Sequence, residues 1–296
     1  MRKYATVLVV AAVIMLVAAF AVTNTLFVME RVAAVESAAG DVQIKPRGEG
    51  EFRPLGEGRN VKTGDTLRTG SDASVELSWV DGTRLKLDSG TTMTILKCSF
   101  DSLDRVDTSI FRVDLGRIWV RVVKILTRGS KFEVQTPAAT AGIRGTVFSV
   151  DVGPDGATTI SVWDGSVALA AGGANTEIPG GQVARIAAGG SSAELESLSS
   201  EAQAAWQEQQ HFVGPYLSLT SPVQGAEMVG SSVHVEGDAE PHASVTVNEQ
   251  AIETTRRGHF SADLPVADLG DPPTVTVVAT DRHDAQTTLA RTLARP

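Results

Sequence analysis

Short stretches in which apolar and polar residues alternate recur through most of this chain. Ser74 to Val80 sets Val75, Leu77 and Trp79 against Ser74, Glu76 and Ser78, the period-two pattern of a half-buried strand. Arg84 to Asp88, Thr92 to Leu96, Phe111 to Leu115, Ile118 to Val123, Lys131 to Gln135 and Thr146 to Val152 repeat it, with Gly- and Asp-rich turn signals between them. The pattern predicts a mainly β protein whose first domain, 31–190, is all-β without a helical crossover. Alternation alone leaves sandwich, barrel and solenoid-like coils open; stacked short β-motifs are expected.

Two segments break the alternation. Tyr4 to Met29 carries no charge, and only Thr6, Thr23, Asn24 and Thr25 interrupt its apolar run. As a helix it reaches about 39 Å at ~1.5 Å per residue, against a hydrocarbon core of roughly 30 Å. The expectation is a transmembrane anchor over 4–29 behind a cytoplasmic tip of residues 1–3. The alternative is a secretory signal peptide cut near Ala19-Phe20-Ala21. Arg2 and Lys3 stay inside by the positive-inside rule, so either reading puts the bulk of the chain outside the cytoplasm, periplasmic or on the cell surface.

The second break is Ser192 to Phe212, free of Gly and Pro, with Leu195, Leu198, Ala202, Ala205 and Trp206 at helical spacing. It predicts a linker helix within 191–213, capped by Ser191 or Ser192, packed through Trp206 and ended by Gly214-Pro215. Alternation then resumes at Leu217 to Thr220, Ser232 to Glu236, Ser244 to Val247, His259 to Leu264 and Thr274 to Thr280, enough for a small β-sandwich over 214–296.

The chain has 296 residues, 42% hydrophobic and 21% charged, which is ordinary globular usage. Its net charge of −9 is uneven: 31–190 is neutral, and the acidity lies beyond residue 190. That distribution disfavours nucleic-acid binding. The single Cys98 cannot form an internal disulfide and reads as a buried thiol.

The segment Thr136 to Phe148 (TPAATAGIRGTVF) lies between two of the strand-like runs. Pro137 ends the first run, and Gly142 and Gly145 bracket Ile143-Arg144 in a tight turn that aims one guanidinium at nearby carbonyls or a carboxylate. The functional alternative is that Arg144 clamps an anionic ligand. In this segment, through Thr136, Pro137, Arg144, Gly145, Thr146 and Phe148, the chain resembles the FecR family. The resemblance continues in order through Gly64-Asp65, Leu67-Arg68-Thr69-Gly70, Asp81-Gly82-Thr83, Leu115-Gly116-Arg117-Ile118, Asp164-Gly165-Ser166-Val167 and Pro179-Gly180-Gly181-Gln182, and covers roughly 35–187. It implies an extracytoplasmic FecR-type domain. The regulators that give the family its name also carry a cytoplasmic domain that engages a sigma factor. Only Met1, Arg2 and Lys3 precede the apolar run, so the expectation is that any such signalling passes through a second membrane protein.

Past residue 214, Ser221-Pro222-Val223-Gln224-Gly225, Val245-Thr246-Val247-Asn248, Gly258-His259-Phe260 and Val277-Val278-Ala279-Thr280-Asp281 resemble bacterial immunoglobulin-like modules of surface and carbohydrate-active proteins. Those modules often place Asn-Gly at the central hairpin, where this chain has Asn248-Glu249.

No catalytic constellation emerges. His211, His234, His242, His259 and His283 all lie outside the first domain, and their spacing suits solvated side chains better than a metal site. Gly153-Pro154-Asp155-Gly156 reads as a hairpin tip, not a calcium loop. No cofactor or metal is expected. Arg112, Arg117, Arg121, Lys124, Arg128 and Lys131 fall close together with one acid, Asp114, among them; on one face they would attract an anionic glycan, lipid or protein. The alternative is a solvated face balanced by acids elsewhere. The resulting reading is a membrane-anchored, non-catalytic binding or scaffold protein of the cell envelope with a protein or glycan partner. A FecR-like sensor acting through a partner is the alternative, and an accessory subunit of a polysaccharide-processing system a further one.

Overall fold

The computed structural model describes residues 28–122, 129–209, 214–228, 230–281 and 285–295. The chain divides into two compact units, one of Met1–Val80 with Leu85–Glu196, the other of Asp81–Arg84 with Ser197–Pro296. Most of the expected span lies outside the described residues. Its last two positions, Val28 and Met29, belong to a strand instead, and no helix among the described residues is long and apolar enough to cross a membrane.

The larger unit opens with β1 (Val28–Glu30), β2 (Ala33–Ala39), β3 (Val42–Lys45), β4 (Arg53–Pro54), β5 (Asn60–Val61) and β6 (Thr66–Thr69). β7 (Ser74–Ser78), β8 (Arg84–Leu87), β9 (Thr92–Asp101), β10 (Val106–Arg121), β11 (Lys131–Gln135) and β12 (Thr140–Ile143) follow. Then come β13 (Val147–Val152), β14 (Thr158–Asp164), β15 (Ser166–Ala171), β16 (Ala174–Pro179), β17 (Gln182–Ile186) and β18 (Glu194–Ser197). One sheet runs β4, β3, β6, β9, the first half of β10, β11, β12, β15, β16, with β1 beside β6 on the same edge of β9. The second sheet contains β5, β2 and β7, and the run from the second half of β10 through β13 and β14 to β17. Every pairing named is antiparallel except β10 with β11.

The chain passes repeatedly from one sheet to the other at short corners. Gly40-Asp41 joins β2 to β3, Gly70 to Asp72 joins β6 to β7, Arg144-Gly145 joins β12 to β13, Gly165 joins β14 to β15, and Gly180-Gly181 joins β16 to β17. β10 makes the same passage without a break. The alternation had divided it at Leu115-Gly116-Arg117, but Gly116, at φ +85°, bends a single strand from the first sheet into the second. Between the sheets lies one apolar core. At its centre Phe111 meets Trp79 edge-on with ring centroids 5.6 Å apart, and Phe132 at 5.2 Å. The Trp79 indole N–H donates to buried Cys98 Sγ at 3.2 Å, so the thiol serves as an acceptor in the core.

The smaller unit continues with helix α1 (Ser200–Glu208), about two turns later than the periodicity placed it, because Glu194–Ser197 is strand β18. Ser199 caps the helix, its Oγ accepting from the Ala202 N–H at 3.2 Å, and Trp206 is the residue the helix buries. Two sheets follow. One holds β19 (Leu217–Ser221), β20 (Ser232–Ala239) and β23 (His259–Pro265). The other is ordered β22 (Gln250–Ile252), β21 (Ser244–Val247), β24 (Thr274–Thr280), β25 (Gln286–Thr292). Val235, Val245, Val247, Phe260, Val275 and Val277 belong to their shared core.

Asn248-Glu249 closes the β21–β22 hairpin with φ +44° and +68°, both positive as a type I′ turn demands. The Asn248 side chain holds the turn by accepting from the Thr276 N–H at 2.7 Å and donating to the Thr274 carbonyl at 3.2 Å. Glu249 has no such compensation for its left-handed backbone. Replacing it by glycine is expected to stabilise this unit by about 1 kcal/mol, the cost a side chain carries in that region; a lower denaturation midpoint in Glu249→Gly would contradict the turn assignment.

Candidate functional site

The motif residues that lie far apart in sequence meet at the corners. Along one edge of the larger unit the Gly70 N–H donates to the Asp41 carbonyl at 2.9 Å, and the Gly90 N–H donates to the Gly70 carbonyl at 2.9 Å. Thr91 Oγ1 then accepts from the Arg117 N–H at 3.0 Å and donates to the Arg117 carbonyl at 3.1 Å, clamping the bend at Gly116. A second column stacks Arg144-Gly145, Asp164-Gly165 and Gly180-Gly181. Gly180 N–H donates to the Gly165 carbonyl at 2.8 Å, and Thr146 Oγ1 donates to the Ser166 carbonyl at 2.8 Å. A Cβ on Gly165 would stand 2.7 Å from the Gly145 carbonyl, so this stacking requires the missing side chain.

Most of the motif is therefore framework. Thr136 Oγ1 accepts from the Ala139 N–H at 3.0 Å and from Thr158 Oγ1 at 2.9 Å, fixing the turn that exposed Pro137 begins. Thr146 and Phe148 are buried, Phe148 completely. Asp164 is half-buried and stands in one cross-strand row with Val147 and Arg121. Arg144 differs. The tight turn is present, with Gly145 at φ +66°, but the guanidinium is exposed and makes no hydrogen bond or ion pair among the described residues, contrary to the expectation that it would be tied to carbonyls or a carboxylate. The turn needs Gly145 for its conformation and leaves the side chain before it to solvent. Around Arg144 the column presents exposed Gly165, Pro179, Gly180 and Gly181 and half-buried Trp163.

Among the described residues the expected basic stripe does not form. Arg112 pairs with Asp114 at 3.0 Å, Arg117 Nε donates to Asp151 at 2.8 Å, and Lys131 pairs with Glu133. Arg121 is only 2% exposed, inside the unit, and Lys124 and Arg128 lie outside the described residues. The bend at Gly116 is the physical reason: it sends Arg112 into one sheet and Arg117 and Arg121 into the other. Cross-strand Asp151, 34 residues from Arg117, was invisible to a count of local charge. Burial of the Glu133 carboxyl opposes its ionisation, yet hydrogen bonds from Gln135 and Lys131 and the charge of Lys131 outweigh it, and its pKa lies below the ordinary glutamate value.

In the smaller unit, His234 Nδ1 is 2.9 Å from Asp263 and His259 Nδ1 is 3.3 Å from Asp238, with Glu236 between the two rings on β20. Both rings stand on the solvent side of their strands. Among the described residues no group of three or more His, Cys, Asp or Glu is arranged to hold a metal ion.

Three comparisons bear on this architecture. No curated protein matches the chain. Two crystal structures of a candidate anti-sigma factor from Parabacteroides distasonis are similar at 17% identity, with TM-scores of 0.39 and 0.40. The similarity covers 48% of this chain and 63% and 64% of those chains, so this chain spans less than two thirds of their length. The model of the family described as FecR protein matches residues 65–168, from the Asp65 carboxylate that accepts from the Lys62 and Arg47 N–H groups to Ala168 on β15. The larger unit of this chain carries a FecR domain.

Proposed function

We propose that this protein is a membrane-anchored, non-catalytic sensor of the bacterial cell envelope, in which the FecR domain takes a protein partner on the corner that carries Arg144. The family match supports a regulatory role, and the state of Arg144 carries the choice of surface. Its turn is set by Gly145 at positive φ, its guanidinium is exposed and has no partner among the described residues, and the corner beside it is glycine-rich backbone with a half-buried tryptophan. Arginine and tryptophan are the side chains most enriched where a few residues dominate a protein interface. An arginine free of local carboxylates offers its whole donor fork to a partner carboxylate.

The uncharged run over 4–29 anchors the chain, and the domains 31–190 and 214–296 lie outside the cytoplasm. The stretch 191–213, which carries β18 and α1, connects them, with the second domain an immunoglobulin-like module. Signal leaves through a partner that itself reaches the cytoplasm. The mechanism is contact: the corner residues hold Arg144 in place, and occupancy of that corner is what the protein reports. A photoreactive side chain placed at position 144 in the full-length protein, in living cells, tests this reading. Capture of one envelope or membrane protein is expected; the absence of any adduct above that from a probe at exposed Asp155 would contradict it.

A further inference from the structure

We infer that the hairpin joining β9 to β10 dips into the lipid interface, so that the FecR domain rests on the membrane surface by its Leu103 end. The inference rests on the anchor reading of 4–29 and adds a second, lateral contact to it.

β1 takes up the last two residues of the uncharged run, and it lies antiparallel to the end of β9, with Val28 opposite Asp101 and Met29 opposite Phe100. In that direction the chain enters the sheet from the side of the hairpin apex. Val106 faces Asp101 from the other edge, so the entry point, the end of β9 and the start of β10 form one row. Large apolar side chains are exposed there: Val28 (47%) and Met29 (55%) at the entry point, and Leu103 (62%) at the apex. Three of the eight exposed large apolar residues among those described thus gather at the end where the run arrives.

The apex is built to present Leu103. Asp101 Oδ1 accepts from the Leu103 N–H at 2.9 Å and from the Asp104 N–H at 3.3 Å, and Arg105 closes the turn at φ +54°. A side chain held out on a preformed turn loses little freedom when it is buried. The geometry also fits the membrane. With Val28 and Met29 in β1, a helix over 4–27 reaches about 36 Å at ~1.5 Å per residue and exceeds the hydrocarbon core by roughly 6 Å, so its end reaches the headgroup zone. Neighbouring strands are about 5 Å apart, which keeps the hairpin beside that point at the same depth. Glu30, Asp101, Asp104 and Asp107 outnumber Arg31 and Arg105 at this end, so the contact is apolar and does not select anionic lipid.

The test uses the full chain with Leu103→Cys, labelled with an environment-sensitive fluorophore and reconstituted in phosphatidylcholine vesicles. Cys98 is buried and stays in place; unsubstituted protein controls for its labelling. Asp155→Cys is the reference, because its turn follows Val152, which pairs with Gly116 at the far end of the first half of β10. A nitroxide lipid quencher placed near the headgroups should quench the label at 103 about twofold or more over that at 155, undiminished in high salt, since apolar segments in the interface sit ~5–10 Å deep. Equal quenching at 103 and 155 in vesicles that carry the protein on flotation overturns the inference and leaves the anchor standing. Failure of the protein to float with the vesicles overturns the anchor reading and this inference with it.

Discussion

Gly116→Ala is expected to lower the stability of the FecR domain by about 3–5 kcal/mol, combining a strained positive-φ residue with an overpacked contact. The added Cβ would lie 2.5 Å from the Thr91 Cα and from Thr91 Oγ1, and 2.8 Å from the Gly90 carbonyl. None of these can swing aside. Thr91 is fully buried, and its hydroxyl is engaged with both backbone groups of Arg117. Its N–H donates to Thr69 Oγ1 at 2.9 Å, and Thr69 Oγ1 donates to the Asp88 carbonyl. The backbone at φ +85° adds its own cost for any residue with a Cβ. For a domain of this size each kcal/mol moves the unfolding temperature by about 2–4 °C, so a fall of roughly 10 °C or more should appear by calorimetry. Gly173→Ala is the control for positive φ alone, since nothing lies within 4 Å of its Cβ position. Equal effects at the two sites would show that the bend at Gly116 is not tightly packed.

Phe111→Ala should cost a similar amount by a different route. The ring is fully buried in the first half of β10 and touches both Trp79 and Phe132, so its loss leaves a cavity bounded by two large rings. Truncations of this kind cost about 3–5 kcal/mol, and the two aromatic contacts belong to that range. Leu103→Ala, a comparable loss of apolar volume at an exposed turn, is expected to change stability by less than about 0.5 kcal/mol in solution. Chemical denaturation of the two variants checks the contrast. Similar midpoints would mean that Phe111 is not where the core is anchored.

What the sequence disclosed follows how local each signal was. Val75, Leu77 and the Lys131–Gln135 run needed only their own alternation to be placed in strands, and β7 and β11 are where it put them. Gly116 misled because a glycine within a strand pattern signals a turn as readily as a bend; only pairing to β9 before it and β13 after it decides. Glu194–Ser197 carried helix formers yet forms a strand, since strand pairing depends on partners remote in sequence. For the same reason Gly145, Gly165 and Gly180 were legible as three separate turns but not as one stacked column. Nor did local pattern disclose that Arg121 is buried while Arg144 is not: both are arginines beside apolar residues, and only the row Arg121, Val147, Asp164 places the first inside.

The central claim is that the motif's corners are framework and its exposed arginine is for a partner. The most direct measurement sets the unfolding temperature of full-length Arg144→Ala beside its capture of the partner by crosslinking in intact cells. Arg144 has no partner to lose among the described residues, so the account predicts an unfolding temperature within about 2 °C of the parent protein together with strongly reduced capture. Undiminished capture, with or without a lowered unfolding temperature, would contradict it and return Arg144 to the framework.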